Sequence, residues 1–285
     1  MLVYLVTQTL NGLFSAALLF LIASGLTLAF GVMKIVNIAH GSFYMLGVYV
    51  AYSVILRTQS LVLGTIAAIV AVGAIGFVMQ RVFLRRFAGD PLPQMMMTMG
   101  FALLFRDAAL MIWGGDPFTL QYPGLLRGSM EAGDIVFPWY RLFVIFVAAL
   151  VGVALWLVNE RTLIGARLRA TVDDPEMASA TGINVAQLSG LVFAAGAGLA
   201  AFGGVMGGPI LGGYAGVDFD LLPLAFVVVI IGGMGSLKGA LVGSIVVGMI
   251  DNYGKALVPE LSYFTLFAPM VLVLALRPTG LYGRA

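Results

Sequence analysis

The chain has no cysteine, and among its 285 residues there is one histidine, His40. Disulfide bonds are therefore excluded, and so are zinc, haem and iron–sulfur sites that need several cysteine or histidine ligands. No metal site is predicted. Charged residues are also scarce, at 10% of the chain, whereas a soluble domain carries about 25%. So few charges cannot cover the surface of a water-soluble protein of this length.

The sequence is instead rich in apolar residues, which make up 61% of the chain. Residues 1–33, 58–80, 142–159 and 177–217 contain no Asp, Glu, Lys or Arg, and a membrane-spanning helix needs roughly 20 such residues. The segments lack the strict alternation of an outer-membrane barrel. We therefore predict one all-α domain over residues 1–285, a polytopic transmembrane helical bundle. The predicted apolar segments are 10–32, 35–56, 61–83, 92–113, 139–158, 185–211, 221–234, 240–253 and 262–276.

The distribution of Lys and Arg predicts the orientation, because these residues stay preferentially on the cytoplasmic side. If loops 81–93 and 159–184 face the cytoplasm, ten basic residues lie inside and four outside, with Arg106 within a span. The N-terminus is then outside and the C-terminus is cytoplasmic. The net charge of +2 is spread between apolar segments, which argues against a nucleic-acid partner. The inside residues are Lys34, Arg81, Arg85, Arg86, Arg161, Arg167, Arg169, Lys238, Arg277 and Arg284.

Two stretches of glycine with a lysine interrupt the apolar pattern, at residues 31–41 and 232–239. Irregular backbone at membrane depth requires cover by protein or a water-filled cavity, and paired interruptions are typical of a transport pathway. The segments 221–234 and 240–253, each about 14 residues, are short for a membrane core of ~30 Å. We therefore predict discontinuous helices, with two ordinary cytoplasmic turns as the alternative. The candidate pathway residues are Asn37, His40, Gly41, Ser42, Tyr44, Gly233, Gly235 and Gly239.

Each polar candidate also has a structural explanation. His40 can bond to an opened backbone carbonyl, and Asn37, Ser42 and Tyr44 can join helices through hydrogen bonds. Helix N-termini near Gly41 and Gly239 could instead face the carboxylate of a zwitterionic substrate. The acidic residues Asp116, Asp134, Asp218 and Asp220 are expected in solvated loops on the outer side.

The 159–184 loop is the only substantial hydrophilic block, and it contains a short capped helix. Asp174 is a plausible N-cap, Pro175 suits the first helical position, and Glu176 lies at the positive end of the helix dipole. Gly182 supplies the C-cap. Such a helix either docks in a groove of another protein or remains a solvated surface helix.

The residues Glu176-Met177-Ala178-x-x-x-Gly182 resemble the EAA-x3-G signature of bacterial ABC-importer membrane subunits, with Met177 in place of the central alanine. The wider chain resembles the branched-chain amino acid permease family of the LivH/LivM type, and is closer to the LivH branch. The resemblance implies that residues 159–184 form a cytoplasmic coupling loop whose coupling helix, at 174–182, contacts an ATPase. The implied ATPase-coupling residues of this loop are Arg169, Asp174, Glu176, Ala178 and Gly182. The similar pieces are Asn11-Gly12, Gly25-Leu26-Thr27-Leu28, residues 36–47, Thr98-Met99-Gly100, Gly165-x-x-Leu168-Arg169-Ala170, residues 232–239 and residues 277–283.

The resemblance implies the membrane subunit of an ABC importer for branched-chain amino acids or a related small solute, in the bacterial inner membrane and surrounded by lipid. The expected partners are two ATPase subunits, a second permease that is a paralogue or a copy, and a periplasmic solute-binding protein. The chain has no Gly-Lys-Ser/Thr phosphate loop. We therefore expect that the chain is not an enzyme and binds no cofactor, and that the ATPase partners bind ATP and Mg²⁺.

Three alternatives stay open from the sequence. One is a permease for another solute, such as urea, a short amide, an aromatic acid or a sugar. An ion-driven transporter or channel would need a buried ionisable relay, for which His40, Arg106, Asp107 and Asp251 are the candidates. An intramembrane enzyme is the weakest, because the spans contain no carboxylate cluster.

Overall fold

The computed structural model of the chain describes residues 1–283, so Arg284, which the charge distribution assigns to the inside, lies outside the described residues. Eleven α-helices, one β-hairpin, one short π-helix and three short 3₁₀ helices make up the described fold. The helices are α1 Leu2–Met33, α2 His40–Thr58, α3 Leu61–Val78, α4 Pro91–Trp113, α5 Trp139–Arg161, α6 Leu163–Asp173, α7 Pro175–Ala180, α8 Val185–Leu211, α9 Val217–Gly232, α10 Leu237–Leu257 and α11 Ser262–Leu276, with β1 Ser129–Ala132 pairing antiparallel to β2 Ile135–Pro138.

The polytopic helical prediction is confirmed. Among the described residues, five helices are long and apolar enough to cross a membrane: α1, α3 with its extension to Phe87, α4, α5 and α8. The pair α9 and α10 qualifies as a sixth span, bent by 119° at the break between them. The remaining long helix, α2, is surrounded by α3, α4, α8 and α9.

Small residues allow the central helices to pack backbone against backbone. Where α1 meets α8, a β-carbon on Gly196 would lie 2.7 Å from the carbonyl oxygen of Gly25. Such close approach is possible only without side chains, and it gives membrane helices large dispersion contacts where no hydrophobic effect operates. The glycine-rich composition of α8 therefore serves packing.

The interruption predicted after residue 31 is confirmed, but its position differs from the predicted span 35–56. Residues 34–39 are not helical, and α2 begins only at His40. A ring nitrogen of His40 lies 2.9 Å from the carbonyl oxygen of Ile22. About 16 Å of helix separates Ile22 from the end of α1 at Met33, so the chain returns along α1 before α2 starts.

The second interruption lies between α9 and α10, where Gly233 and Gly235 have φ angles of 103° and 81°. The last carbonyls of α9 are not left unpaired: the Tyr282 amide donates to Gly232, and the Leu281 amide donates to Ile231, both at 2.9 Å. The C-terminal segment therefore covers the irregular backbone, as burial at membrane depth requires.

The predicted length of the helix after this break was wrong. The sequence segment 240–253 is about 14 residues, whereas α10 has 21 residues and is about 31 Å long. Ser236 starts the helix early, because its side chain accepts a hydrogen bond from the Gly239 amide at 3.1 Å. The helix also continues past Tyr253 to Leu257.

The loops assigned to the two sides by charge gather at opposite ends of the bundle. At the loop end, named for the 159–184 loop, a β-carbon on Gly31 would lie 3.5 Å from the Cα of Gly235. At the hairpin end, Phe118 and Gly213 form an isolated β-bridge. The β-hairpin itself was not predicted, because the sequence of residues 114–138 reads only as a Gly- and Pro-rich loop.

Candidate functional site

The short helix of the 159–184 loop is present as α7 and is capped at both ends. One carboxylate oxygen of Asp174 accepts from the amides of Glu176 at 3.0 Å and Met177 at 2.9 Å. At the other end, Gly182 adopts a φ of 89°. Its amide donates to the Ser179 carbonyl oxygen at 3.0 Å, and the Ile183 amide donates to Ala178 at 3.1 Å. This is the Schellman arrangement that ends helices at glycine.

The capped helix presents a defined face. The side chain of Ala178 is buried, whereas Glu176 is exposed and Met177 is 61% exposed. The one departure from the ABC-importer signature therefore lies on the outer face of α7. An exposed, unbranched Met side chain adapts readily to a partner surface.

The loop contains a second helix, α6, which the sequence analysis did not separate. The Thr162 hydroxyl caps it by accepting from the Gly165 amide at 3.2 Å, and the Thr162-x-x-Gly165 spacing was the sequence feature that could have indicated it. The Arg169 guanidinium donates to the Asn159 carbonyl oxygen. Arg169 therefore joins α6 to the end of α5.

A cavity of about 710 Å³ lies beside α7 at the loop end. Its walls come from the end of α1, the segments that follow α3, and the start of α8. Gln94 is buried here and donates through its amide nitrogen to the Leu84 carbonyl oxygen at 3.0 Å. The lining residues include Met33, Gln80, Arg85, Pro175, Gly182 and Asn184.

Five of the predicted pathway residues lie at or near the start of α2, and an aspartate of this chain already faces them. The Ser42 hydroxyl donates to a carboxylate oxygen of Asp218 at 2.8 Å. A β-carbon on Gly41 would lie 2.5 Å from the Asp218 carbonyl oxygen. The expectation that Asp218 lies in a solvated loop was therefore wrong, because it is buried in the first turn of α9. Within this subunit, Asp218 therefore occupies the position beside Gly41 that the sequence suggested for the carboxylate of a substrate.

Several buried polar atoms in this region lack a hydrogen-bond partner among the described residues. They include both amide atoms of Asn37, the hydroxyl of Tyr44 and the second carboxylate oxygen of Asp218. The irregular segment before α2 is held by the Thr98 hydroxyl, which accepts from the Ile38 amide at 3.1 Å. The structural explanation given for His40 agrees with its contact to Ile22.

The remaining candidates Gly233, Gly235 and Gly239 lie at the turn between α9 and α10. Gly235 is adjacent to Gly31, whereas His40 contacts Ile22. Ile22 and Gly31 are about 13 Å apart along α1. The structure therefore divides the eight candidates into two groups and does not bring them together.

A groove at the hairpin end contains charged residues that are not among the eight candidate pathway residues. It encloses about 650 Å³ between α1, α9, α10 and α11. Lys255 and Asp251, one turn apart on α10, form an ion pair of 2.7 Å with side chains 60% and 13% exposed. The i, i+4 spacing of opposite charges at the end of the apolar segment 240–253 was the available sequence feature. We call this the hairpin-end groove; its lining residues are Phe14, Ser15, Leu18, Leu19, Ile22, Leu211, Tyr214, Val217, Phe219, Asp220, Leu221, Pro223, Leu224, Asp251, Lys255 and Phe267.

The same groove holds a second polar pair. The Tyr214 hydroxyl donates to a carboxylate oxygen of Asp220 at 2.5 Å. This hydrogen bond, together with partial burial and the neighbouring carboxylates, raises the pKa of Tyr214 to about 12. Next to it, the Arg106 guanidinium lies over the Phe219 ring at 5.8 Å, which links α4 to α9.

Comparison with known proteins agrees with this geometry. Residues 8–275 match the family described as the branched-chain amino acid transport system permease component. The chain is similar to the high-affinity branched-chain amino acid permease protein BraD of Pseudomonas aeruginosa, with 29% identity over 97% of this chain and 95% of the relative. It is equally similar to LivH of Escherichia coli, with 29% identity over 99% of this chain and 96% of the relative.

The chain is also similar, more distantly, to sugar permeases. The galactose/methyl galactoside import permease protein MglC of Haemophilus influenzae is 26% identical over 66% of this chain and 58% of the relative. No solved structure matches the chain.

Proposed function

This chain belongs to the family of branched-chain amino acid transport permease components, and from that premise we propose that it is the membrane-spanning subunit of a bacterial importer driven by partner ATPases. As a permease component it is a transport subunit and not an enzyme, and it is a multi-pass membrane protein. The proposed cargo is a branched-chain amino acid, the substrate class in the names of the nearly full-length relatives.

The observation that supports an ATPase partner is the geometry of α7. A helix of six residues is too short to be stable alone, yet caps at both ends fix it and leave Met177 and Glu176 facing outward. Such a rigid projection fits a cleft in another protein. We assign that cleft to an ATPase subunit, with one copy for each of two permease subunits. ATP and Mg²⁺ are held there and not by this chain.

The proposal also assigns the two ends of the bundle. The loop end, which carries most of the basic residues, faces the cytoplasm together with the C-terminus, and the membrane is the bacterial inner membrane. The hairpin end faces the periplasm, where a solute-binding protein delivers the cargo. A second permease, either a paralogue or a copy, completes the pathway, because one subunit provides only an open groove.

Co-purification with the ATPase tests this proposal. Met177→Glu places a charge on the exposed face of α7, and Leu125→Glu places the same charge on a residue 98% exposed near the hairpin. We expect Met177→Glu to reduce both ATPase binding and ATP-driven leucine uptake, whereas Leu125→Glu, at the opposite end of the bundle, retains ATPase binding. If the unmodified chain binds no ATPase subunit, or Met177→Glu binds it equally well, the proposal is wrong.

A permease for another small solute is the second candidate, and the similarity to sugar permeases favours it. Uptake of labelled leucine, urea and galactose by the same assembled transporter separates the two. Leucine uptake abolished by unlabelled valine, with galactose and urea without effect, supports the amino acid. Competition by galactose or urea contradicts it.

A further inference from the structure

We propose that the hairpin-end groove binds the substrate itself, with the Asp251 carboxylate receiving the ammonium group of a zwitterionic amino acid and Lys255 receiving its carboxylate. This inference rests on the proposed function and adds to it the residues that contact the cargo. Neither side chain is among the eight candidate pathway residues, and the sequence suggested Asp251 only as a relay for an ion-driven transporter or channel.

The shape and lining of the groove fit an aliphatic amino acid. Phe14, Leu18 and Ile22 lie four residues apart on α1 and form one apolar wall, because residues at this spacing share a helix face. Leu224 of α9 and Phe267 of α11 also line the groove. A volume of about 650 Å³ lies within the range of roughly 300–1,000 Å³ that is usual for small-molecule sites.

The ion pair is not explained by stability. Asp251 lies about 9 Å before the end of α10, inside a segment that runs through the membrane bundle. An i, i+4 ion pair with one exposed partner, here Lys255, contributes little to helix stability. The Asp251 carboxylate is only 13% exposed, and an ionisable side chain within a membrane span is costly and usually marks a substrate or ion path. The position of the pair therefore points to binding.

The charges of the pair match those of the cargo. A Lys ammonium offers three donors and a carboxylate only acceptors, so a zwitterion can insert between them. The substrate ammonium then pairs with the Asp251 carboxylate in place of Lys255. The substrate carboxylate pairs with the ammonium group of Lys255, which has left Asp251. The exchange leaves the net charge of the groove unchanged. A sugar has no charged groups to replace either side chain of the ion pair.

Because the chain contains no cysteine, single cysteines report access to the groove directly. Ser15 lines the groove, whereas Ser24 is buried on the same helix. In the assembled transporter with its ATPase, second permease and binding protein, a membrane-impermeant thiol reagent should label Ser15→Cys and not Ser24→Cys. Leucine should slow this labelling, and leucinol and 4-methylpentanoate, which lack the carboxylate and the ammonium group respectively, should protect much less.

Charge variants then test the assigned contacts. Lys255→Met and Asp251→Asn should each raise the leucine concentration needed for protection roughly 10- to 100-fold. Lys255→Met should also remove the advantage of leucine over leucinol, and Lys255→Arg should restore it. Arg127→Met and Asp134→Asn change the same charges in exposed positions near the hairpin and should leave protection unchanged. Unchanged basal ATPase activity shows that the variants assemble.

The outcomes separate this inference from the proposed function. If the transporter performs ATP-driven leucine uptake while leucine does not protect Ser15→Cys, the groove is not the binding site and the function stands. If Lys255→Met and Asp251→Asn bind leucine like their controls, the assigned contacts are wrong. If the unmodified transporter shows no ATP-driven leucine uptake, the proposed function itself fails. Should a charge variant not assemble, the cysteine protection of the otherwise unchanged chain decides alone.

Discussion

The close crossing of α1 and α8 predicts a graded response to adding one methyl group at three glycines. At Gly196 the new β-carbon would lie 2.7 Å from the backbone oxygen of Gly25, whereas real β-carbons essentially never come within 3.0 Å of such an atom. The two helices must therefore separate by roughly 0.3–0.7 Å, which forfeits part of the dispersion energy along the whole contact. Overpacking of this kind typically costs about 1–3 kcal/mol.

Two other glycines provide matched controls. At Gly198 the β-carbon would lie 3.3 Å from a methyl group of Ile69, a side chain that can yield, and at Gly100 it would meet nothing within 4 Å. Gly→Ala at an unstrained helical position stabilises by about 0.4–1 kcal/mol. We therefore expect Gly100→Ala to stabilise the protein, Gly198→Ala to be nearly neutral, and Gly196→Ala to destabilise it.

The assay is unfolding by SDS in mixed micelles, followed by the fluorescence of the three tryptophans. The order of the three unfolding free energies is the tested quantity, since all three changes are Gly→Ala in a membrane helix. If Gly196→Ala is as stable as Gly100→Ala, the backbone contact between α1 and α8 is wrong.

Three further predictions concern single hydrogen bonds and one turn. Asp174→Ala removes the cap of α7, worth about 1 kcal/mol, and should lower leucine uptake per ATP hydrolysed in the reconstituted transporter, whereas Asp174→Asn should retain it. Gly182→Ala forces a side chain into a positive φ at a cost of about 1–2 kcal/mol, and should speed proteolysis of the 159–184 loop. Ser42→Ala leaves a buried oxygen of Asp218 without its donor and should cost about 1–3 kcal/mol; additive effects of Ser42→Ala and Asp218→Asn in a double-mutant cycle would contradict the contact.

The features predicted correctly from the sequence are those set by local physics. Membrane helices can be predicted from their length and apolar composition. In the bilayer an isolated segment can form hydrogen bonds for all of its backbone groups only as a helix. The caps of α7 follow from residue types at fixed positions around one turn, as Asp174 and Gly182 show. Both interruptions could also be predicted from local sequence, because glycine and lysine close together are unusual within an apolar segment.

The features that were missed depend on packing between distant segments. Asp218 follows a glycine-rich stretch and precedes an apolar run, so its sequence context is that of a loop. Only the position of α2 shows that Ser42, 176 residues away, covers its carboxylate. The groove around Asp251 and Lys255 likewise forms only when α1, α9 and α11 pack beside α10. Charge patterning identifies ionisable residues but not the walls around them.

The contacts at Gly31 indicate how movement at α7 reaches the broken helices in the proposed importer. A β-carbon on Gly31 would lie 3.5 Å from the Cα of Gly235 and 4.0 Å from a methyl group of Val172 on α6. The 159–184 loop and the turn between α9 and α10 therefore both lie beside the same residue of α1. Close-packed interiors transmit displacement because they contain few voids. An ATPase that shifts α7 thus acts on a segment already in contact, through α1, with the turn from which both α9 and α10, two walls of the hairpin-end groove, extend.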